Sequence, residues 1–154
     1  MGESIKSPLV LGDLGGKIQL CKQAIIAGLR SKHGSAFKLL SLIGTEAFDI
    51  HLSASFVFEY EEVLLRELPN LYLSCEEVGE LIDFYCAVGI RHEIFFLWRP
   101  FLRDPKDEMV LELAVKAGCQ TIITYNARDF VGVEQFGLNV LEPSEFLRVI
   151  GKLP

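Results

Sequence analysis

The sequence predicts an α/β protein, built as a three-layer α/β/α sandwich around a central, mostly parallel sheet. Short apolar or alternating runs of the strand type are interleaved with longer segments whose apolar residues recur at helical spacing. Half of the 154 residues are hydrophobic and the mean hydropathy is +0.31, which suits one domain with a substantial core. We therefore expect one packed domain, without repeats, low-complexity segments or linkers.

The strand predictions rest on short segments with apolar side chains. The predicted strands are residues 17–20, 48–52, 94–98, 121–124 and 139–141. Residues 48–52 alternate apolar and polar side chains, whereas residues 94–98 and 121–124 are apolar runs typical of buried strands. Residues 1–16 are glycine-rich without a clear period, so we interpret them as an irregular lead-in.

Helix-type segments fill the intervals between these strands. The predicted helices are residues 24–29, a segment after Ser35, a segment carrying Phe56 to Leu64, residues 78–88, residues 106–117 and residues 144–150. The predicted N-terminal caps are Ser35, either Ser53 or Ser55, and Ser74, which forms a capping box with Glu77. Gly89 and Gly118 are expected to end two of the helices.

The overall charge limits the classes of function. A net charge of −6 and a pI near 5.1 exclude attraction of nucleic acid over the whole surface, so any such contact must be local.

The four cysteines form no C-x-x-C pair, which argues against a zinc site. No apolar run approaches the roughly 20 residues that span a bilayer, and no signal-peptide pattern opens the chain. These features predict a cytoplasmic protein.

Acidic residues lie at two element ends between residues 104 and 129. Asp104-Pro105-Lys106-Asp107 precedes a predicted helix, and Asn126 and Asp129 follow the predicted strand at residues 121–124. In an α/β protein such ends can face one crevice, and gathered carboxylates suit hard cations such as Mg²⁺ or Mn²⁺. The alternative is a capped helix followed by a polar loop, which spacing alone slightly favours. Walker A, G-x-S-x-G and H-E-x-x-H motifs are absent from the sequence.

Six segments in a fixed order and spacing resemble a known family. They are residues 27–31, 34–40, 52–64, 104–114 (which begin Asp-Pro-Lys-Asp), 123–130 (which begin Ile-Thr-Tyr-Asn) and 141–147. Together they make the chain resemble the PIN-domain family, and more closely its toxin components of toxin–antitoxin modules. The resemblance covers residues 24–147 and implies a single PIN-like domain over residues 1–154. It also implies an acidic pocket at the strand ends and Mg²⁺- or Mn²⁺-dependent cleavage of RNA.

The resemblance implies a site residue at each of four positions. The family's helix glutamate matches Glu59, and its third acid matches Asp107, with Asp104 as an alternate or outer partner. The fourth position matches Asn126, with Asp129 close behind. The catalytic candidates are thus Glu59, Asp107, Asn126 and Asp129, and the candidate metal ligands are Glu59, Asp107, Asp129 and Asp104.

The first position of the set departs from the family. Its Asp-Thr-Asn-like motif falls on Cys21-Lys22-Gln23, so the central aspartate is missing and a lysine adds positive charge. A thiol is a poor ligand for Mg²⁺, which predicts a weak or absent metal site. Asp13 could be a displaced substitute.

Each candidate also has a purely structural interpretation. Glu59 could belong to a solvated helix face, and Asp107 could simply favour a helix start. Asn126 could be an ordinary turn residue and Asp129 could cap a helical turn.

Three functions follow from these observations. The first is a metal-dependent endoribonuclease, a toxin held inactive by an antitoxin. The second is a catalytically impaired PIN-fold module that binds RNA or protein, which the loss of the first aspartate favours. The third is an interaction or dimerisation domain, which the acidic pI and the large apolar share favour. RNA, an antitoxin and a second copy of the chain are therefore the expected partners.

Overall fold

Five parallel strands form the sheet in the part of the chain that a computed structural model describes, residues 16–94 and 101–154. The strands are β1 (Lys17–Leu20), β2 (Asp49–Leu52), β3 (Ile90–Arg91), β4 (Thr121–Ile123) and β5 (Asn139–Leu141). Their order across the sheet is β3-β2-β1-β4-β5, and every neighbouring pair is parallel. The predicted parallel sheet is confirmed.

Six α-helices connect and cover these strands within the described ranges. They are α1 (Lys22–Arg30), α2 (Ser35–Ser41), α3 (Ala54–Arg66), α4 (Cys75–Val88), α5 (Pro105–Ala117) and α6 (Pro143–Val149). Short 3₁₀ turns occupy Leu68–Asn70, Ala127–Phe130 and Val133–Phe136. Helices alternate with strands, and the predicted α/β sandwich is confirmed.

The two central strands are buried on both faces. Three consecutive residues of β1, 18–20, and all three residues of β4 are buried. Because successive side chains of a strand point to opposite faces, both faces of the sheet must be covered, as a three-layer sandwich requires. In the two described ranges, no helix combines the length and apolar character needed to cross a bilayer.

Several local predictions are confirmed and others are corrected. Ser53, rather than Ser55, caps α3 by accepting a hydrogen bond from the backbone N–H of Phe56. Ser74 and Glu77 form the predicted capping box. The predicted cap at Ser35 is wrong, because α2 begins at that residue and Gly34 takes the cap position.

The outer strand next to β2 lies earlier in the sequence than we predicted. β3 is only two residues long, and both side chains are exposed, so it shows neither an apolar run nor an alternation. Of the predicted strand at residues 94–98, Ile94 has no regular structure, and residues 95–98 lie outside the described residues.

The order of the strands defines where a ligand crevice can form. From β1 the chain continues to β2 and β3 on one side, whereas β4 and β5 lie on the other side. Ligands of open α/β sheets bind at the carboxyl ends of strands where the order reverses in this way. In this fold that place is between β1 and β4.

Candidate functional site

Cys21 follows β1 directly at the crevice. Its backbone N–H donates to the carbonyl of Ile123 at 3.0 Å, which extends the pairing of β1 with β4 by one residue. The side chain is 1% exposed and its thiol donates to the side-chain oxygen of Gln23. Burial is the main cause that raises the pKa of the thiol. A hydrogen bond with Thr124 lowers the pKa of the thiol, whereas the negative charge of Asp107 raises it. Cys21 therefore supplies neither a negative charge nor an oxygen ligand.

Glu59 lies on α3 and is bound by two lysines. Its Oε2 atom contacts the Nζ of Lys106 at 3.0 Å and the Nζ of Lys22 at 3.4 Å. Burial by itself would raise the pKa of Glu59, but the two ammonium groups outweigh burial, so the pKa lies below its ordinary value. The charge of this carboxylate is therefore offset by two ammonium groups and is less available to a metal ion.

Asp107 lies in the first turn of α5 and is 6% exposed. Its pKa is raised to about 6, mainly by burial, and further by repulsion from Asp104 and Asp129. The positive charge of Lys22 acts in the opposite direction. The carboxylates predicted at residues 104, 107 and 129 are therefore brought near one another.

These carboxylates line an open cleft beside the sheet edge. The cleft has a volume of about 560 Å³, and Asp104, Asp107 and Asp129 share its wall with Arg103 and Arg128. The two guanidinium groups offset part of the negative charge of the three carboxylates, so the cleft is less negative than a pocket of carboxylates alone would be.

Asn126 and Asp104 both have local structural roles. The backbone N–H of Asn126 donates to the Thr124 hydroxyl at 3.0 Å, and its carbonyl accepts from the N–H of Asp129 at 3.0 Å. This geometry is that of a turn residue. Asp104 caps α5 by accepting from the N–H of Lys106 at 2.8 Å.

The residues present do not fit a Mg²⁺ or Mn²⁺ ion held by carboxylates. Among the residues that the structure describes, no three His, Cys, Asp or Glu side chains are grouped so that they could hold a metal ion. Glu59 forms ion pairs with two lysines. Cys21 presents a sulfur atom, whereas a hard cation needs a charged oxygen ligand. Asp13, the possible substitute, lies outside the described residues.

Sequence reasoning missed two contributors to the site. In the sequence Lys106 stands out only as part of the Asp-Pro-Lys-Asp motif, whereas in the structure its ammonium makes the shorter of the two lysine contacts to Glu59. Glu108 accepts hydrogen bonds from the backbone N–H groups of Phe101 and Leu102, at 2.7 and 2.6 Å, and so fixes one lip of the cleft. The helical pattern of the sequence places both residues in the predicted helix at 106–117, but it does not show which groups their side chains contact.

Tyr60 fixes α3, and with it Glu59, against the end of β1. Its buried hydroxyl donates to the carbonyl of Leu20, the last residue of β1. We expect Tyr60→Phe to lower the free energy of unfolding by about 1 to 2 kcal/mol, because a buried carbonyl loses its donor. Urea denaturation measures the change.

Tyr85 provides a matched control for this prediction. It is also buried, but within the described part of the chain its hydroxyl has no hydrogen-bond partner. Tyr85→Phe should therefore leave stability unchanged or raise it. Equal losses in the two variants would contradict the assigned role of Tyr60.

Comparison with known sequences agrees with this geometry. A sequence profile of the PIN domain matches residues 23–128, more than half of the chain. The matched region includes Glu59 and Asp107 but starts two residues after Cys21, so it leaves the first position out. No curated protein sequence gives a significant match. With its parallel sheet and its crevice between β1 and β4, the chain belongs to the PIN-domain family.

Proposed function

We propose that this chain is a PIN-fold RNA-binding protein in which metal-dependent cleavage is impaired. Membership in the PIN-domain family supports the general assignment of a nucleic-acid-binding domain of the nuclease type. The single observation that carries the finer proposal is the double contact of Glu59 with Lys22 and Lys106 beside the buried thiol of Cys21. These contacts put ammonium groups and a neutral thiol where hydrolysis by a metal would need free carboxylates.

The distribution of charge supports RNA rather than a bare cation as the ligand. The whole chain is acidic, so RNA must bind where positive groups are concentrated. Lys22, Lys106, Arg103 and Arg128 are gathered at the crevice and its adjoining cleft. They offset the carboxylates at the carboxyl edge of the sheet, so phosphate is repelled less there than by an acidic surface without such cations.

Binding and cleavage of RNA are measured in parallel to test this proposal. We expect fluorescence anisotropy to show binding of single-stranded RNA in the presence of EDTA. With Mn²⁺ added, we expect no RNA cleavage above background in either the wild type or Asp107→Asn. Cleavage that needs Mn²⁺ and disappears in Asp107→Asn would refute the proposal.

A second candidate is a metal-dependent endoribonuclease that acts as the toxin of a toxin–antitoxin pair. The observation that favours it is the cleft in which Asp104, Asp107 and Asp129 lie together. Calorimetry would support this candidate if it detected tight Mn²⁺ binding that is lost in Glu59→Gln. An absence of Mn²⁺ binding in the wild type would rule out this second candidate.

An antitoxin partner belongs to this second candidate, and a second copy of the chain belongs to a third candidate, an interaction or dimerisation domain. Large apolar side chains are exposed on α3, α4 and β3, among them Phe58, Phe84 and Ile90. Such side chains suit a protein contact. Gel filtration over a range of concentrations tests the homodimer, and a monomer throughout would exclude it.

A further inference from the structure

We infer that Lys22 and Lys106 form a phosphate-binding site for RNA that works without a divalent metal, with Glu59 as the counter-ion that holds both ammonium groups in place. We call these three residues the lysine cluster. The inference deepens the proposed function and rests on it. Glu59 changes its role, because it positions two cations instead of binding a metal.

The lysine cluster keeps hydrogen-bond donors that Glu59 does not use. Both ammonium groups contact the same oxygen of Glu59, so they lie on one side of that carboxylate and close to each other. Each ammonium has three N–H donors, and one contact to Glu59 uses only part of them. Lys106 is 43% exposed and Lys22 is 19% exposed, so solvent reaches both groups.

The backbone around the lysine cluster adds to the positive potential. Lys22 is the first residue of α1 and Lys106 is the second residue of α5, so both lie at helix N-termini, where the helix dipole already disfavours cations. The first turn of α1 contains no acidic residue, and the side chain of Cys21 makes no capping hydrogen bond. Among residues 16–94 and 101–154, only Glu59 offsets Lys22 by an ion pair.

The surrounding charges balance closely. Among the residues that the structure describes, the crevice and the adjoining cleft hold as many cations as carboxylates. The cations are Lys22, Lys106, Arg103 and Arg128, and the carboxylates are Glu59, Asp104, Asp107 and Asp129. In a pocket of carboxylates alone, phosphate would be repelled unless a divalent ion intervened. Here the lysines supply that positive charge permanently.

The salt dependence of RNA binding tests the lysine cluster. We expect K22Q/K106Q to bind single-stranded RNA at least about tenfold more weakly at low salt in EDTA. The slope of log K against log salt concentration should become shallower by about 1.4, because each phosphate contact to a single strand contributes about 0.7. Lys116 lies exposed at the other end of α5, and Lys116→Gln should keep the wild-type slope.

Glu59→Gln gives a different prediction for each of the two roles of this residue. As a counter-ion, its removal should tighten RNA binding in EDTA about threefold, because one negative charge near the phosphate is lost. If Glu59 serves only as a metal ligand and no phosphate binds beside it, its removal leaves binding in EDTA unchanged. The triple variant K22Q/E59Q/K106Q leaves no unpaired charge in the lysine cluster itself, and it should show the same slope change if the double variant does not fold.

The outcomes separate the two proposals. If the wild type binds RNA but the lysine variants keep its slope, the inference about the lysine cluster is wrong and the proposed function stands. If the wild type binds no RNA in EDTA, both are wrong.

Discussion

Replacing Cys21 by Asp and Lys22 by Thr is expected to raise the affinity of the protein for Mn²⁺ by at least about 100-fold. The double variant adds a carboxylate beside Asp107 and removes one ammonium group from Glu59. Each unit charge within roughly 4 Å of an ion is worth several kcal/mol at the effective dielectric of a protein surface. Isothermal titration calorimetry with Mn²⁺ measures the change directly.

The same variant should become dependent on metal for its stability. Position 21 is 1% exposed, and an aspartate there would be buried next to the carboxylate of Asp107. Without metal, that charge lowers the free energy of unfolding, because neither burial nor repulsion is compensated. Mn²⁺ binds only the folded state and should restore stability. Thermal unfolding with and without EDTA should therefore differ for the variant far more than for the wild type.

Two further variants show which change is responsible. Cys21→Ser combined with Lys22→Thr removes the ammonium group but adds no carboxylate, so we expect little gain in Mn²⁺ affinity. Cys21→Asp alone keeps Lys22 against Glu59 and should fall between the wild type and the double variant. Equal Mn²⁺ affinity in the wild type and the double variant would mean that another group already completes a metal site.

The fold was predictable because local signals agreed with one another. The helical spacing around Phe56 and Tyr60, the cap at Ser53 and the capping box of Ser74 with Glu77 all appear in the structure. β3 was not predictable from a pattern, because it has only two residues and both are exposed, although both pair with β2. Its place in the sheet depends on tertiary contacts that no short segment encodes.

The site was predictable only in part. The order of Glu59 and Asp107 followed from the resemblance to the family, and the substitution at Cys21 was visible in the sequence. The partners of Glu59 were not: Lys22 is 37 residues away in the chain, and Lys106 is farther still. A contact between helix ends depends on how the helices pack around the sheet, and the charge of a residue does not reveal which opposite charge it meets.

Asp107→Asn is expected to stabilise the protein at neutral pH and to change how stability depends on pH. The pKa of Asp107 is raised from its ordinary value of 3.8 to about 6 by burial and by repulsion from Asp104 and Asp129. The folded state therefore binds this proton more tightly than the unfolded chain does. The resulting stability is fully present below pH 3.8 and is lost as the pH rises through about 6.

The size of this stability difference depends on the pKa shift of Asp107 and on how far solvent screens its charge. Asp107 lines the open cleft, so solvent screens part of its charge. We expect Asp107→Asn to exceed the wild type in free energy of unfolding by about 1 to 2 kcal/mol at pH 7 to 8, with the difference shrinking towards zero near pH 4. Urea denaturation across this pH range measures it. Asp83 is exposed on α4, and Asp83→Asn should stay within about 0.5 kcal/mol of the wild type.

Adding Mn²⁺ to the same two proteins separates the two candidate functions. If Asp107 is a metal ligand in a working nuclease, Mn²⁺ raises the stability of the wild type but not that of Asp107→Asn, and the advantage of the variant shrinks or reverses. If the lysine cluster has taken the place of the metal, Mn²⁺ leaves the difference between the two proteins unchanged. If Asp107→Asn is less stable than the wild type at pH 7 without metal, then the claim that the cleft carboxylates repel one another is wrong.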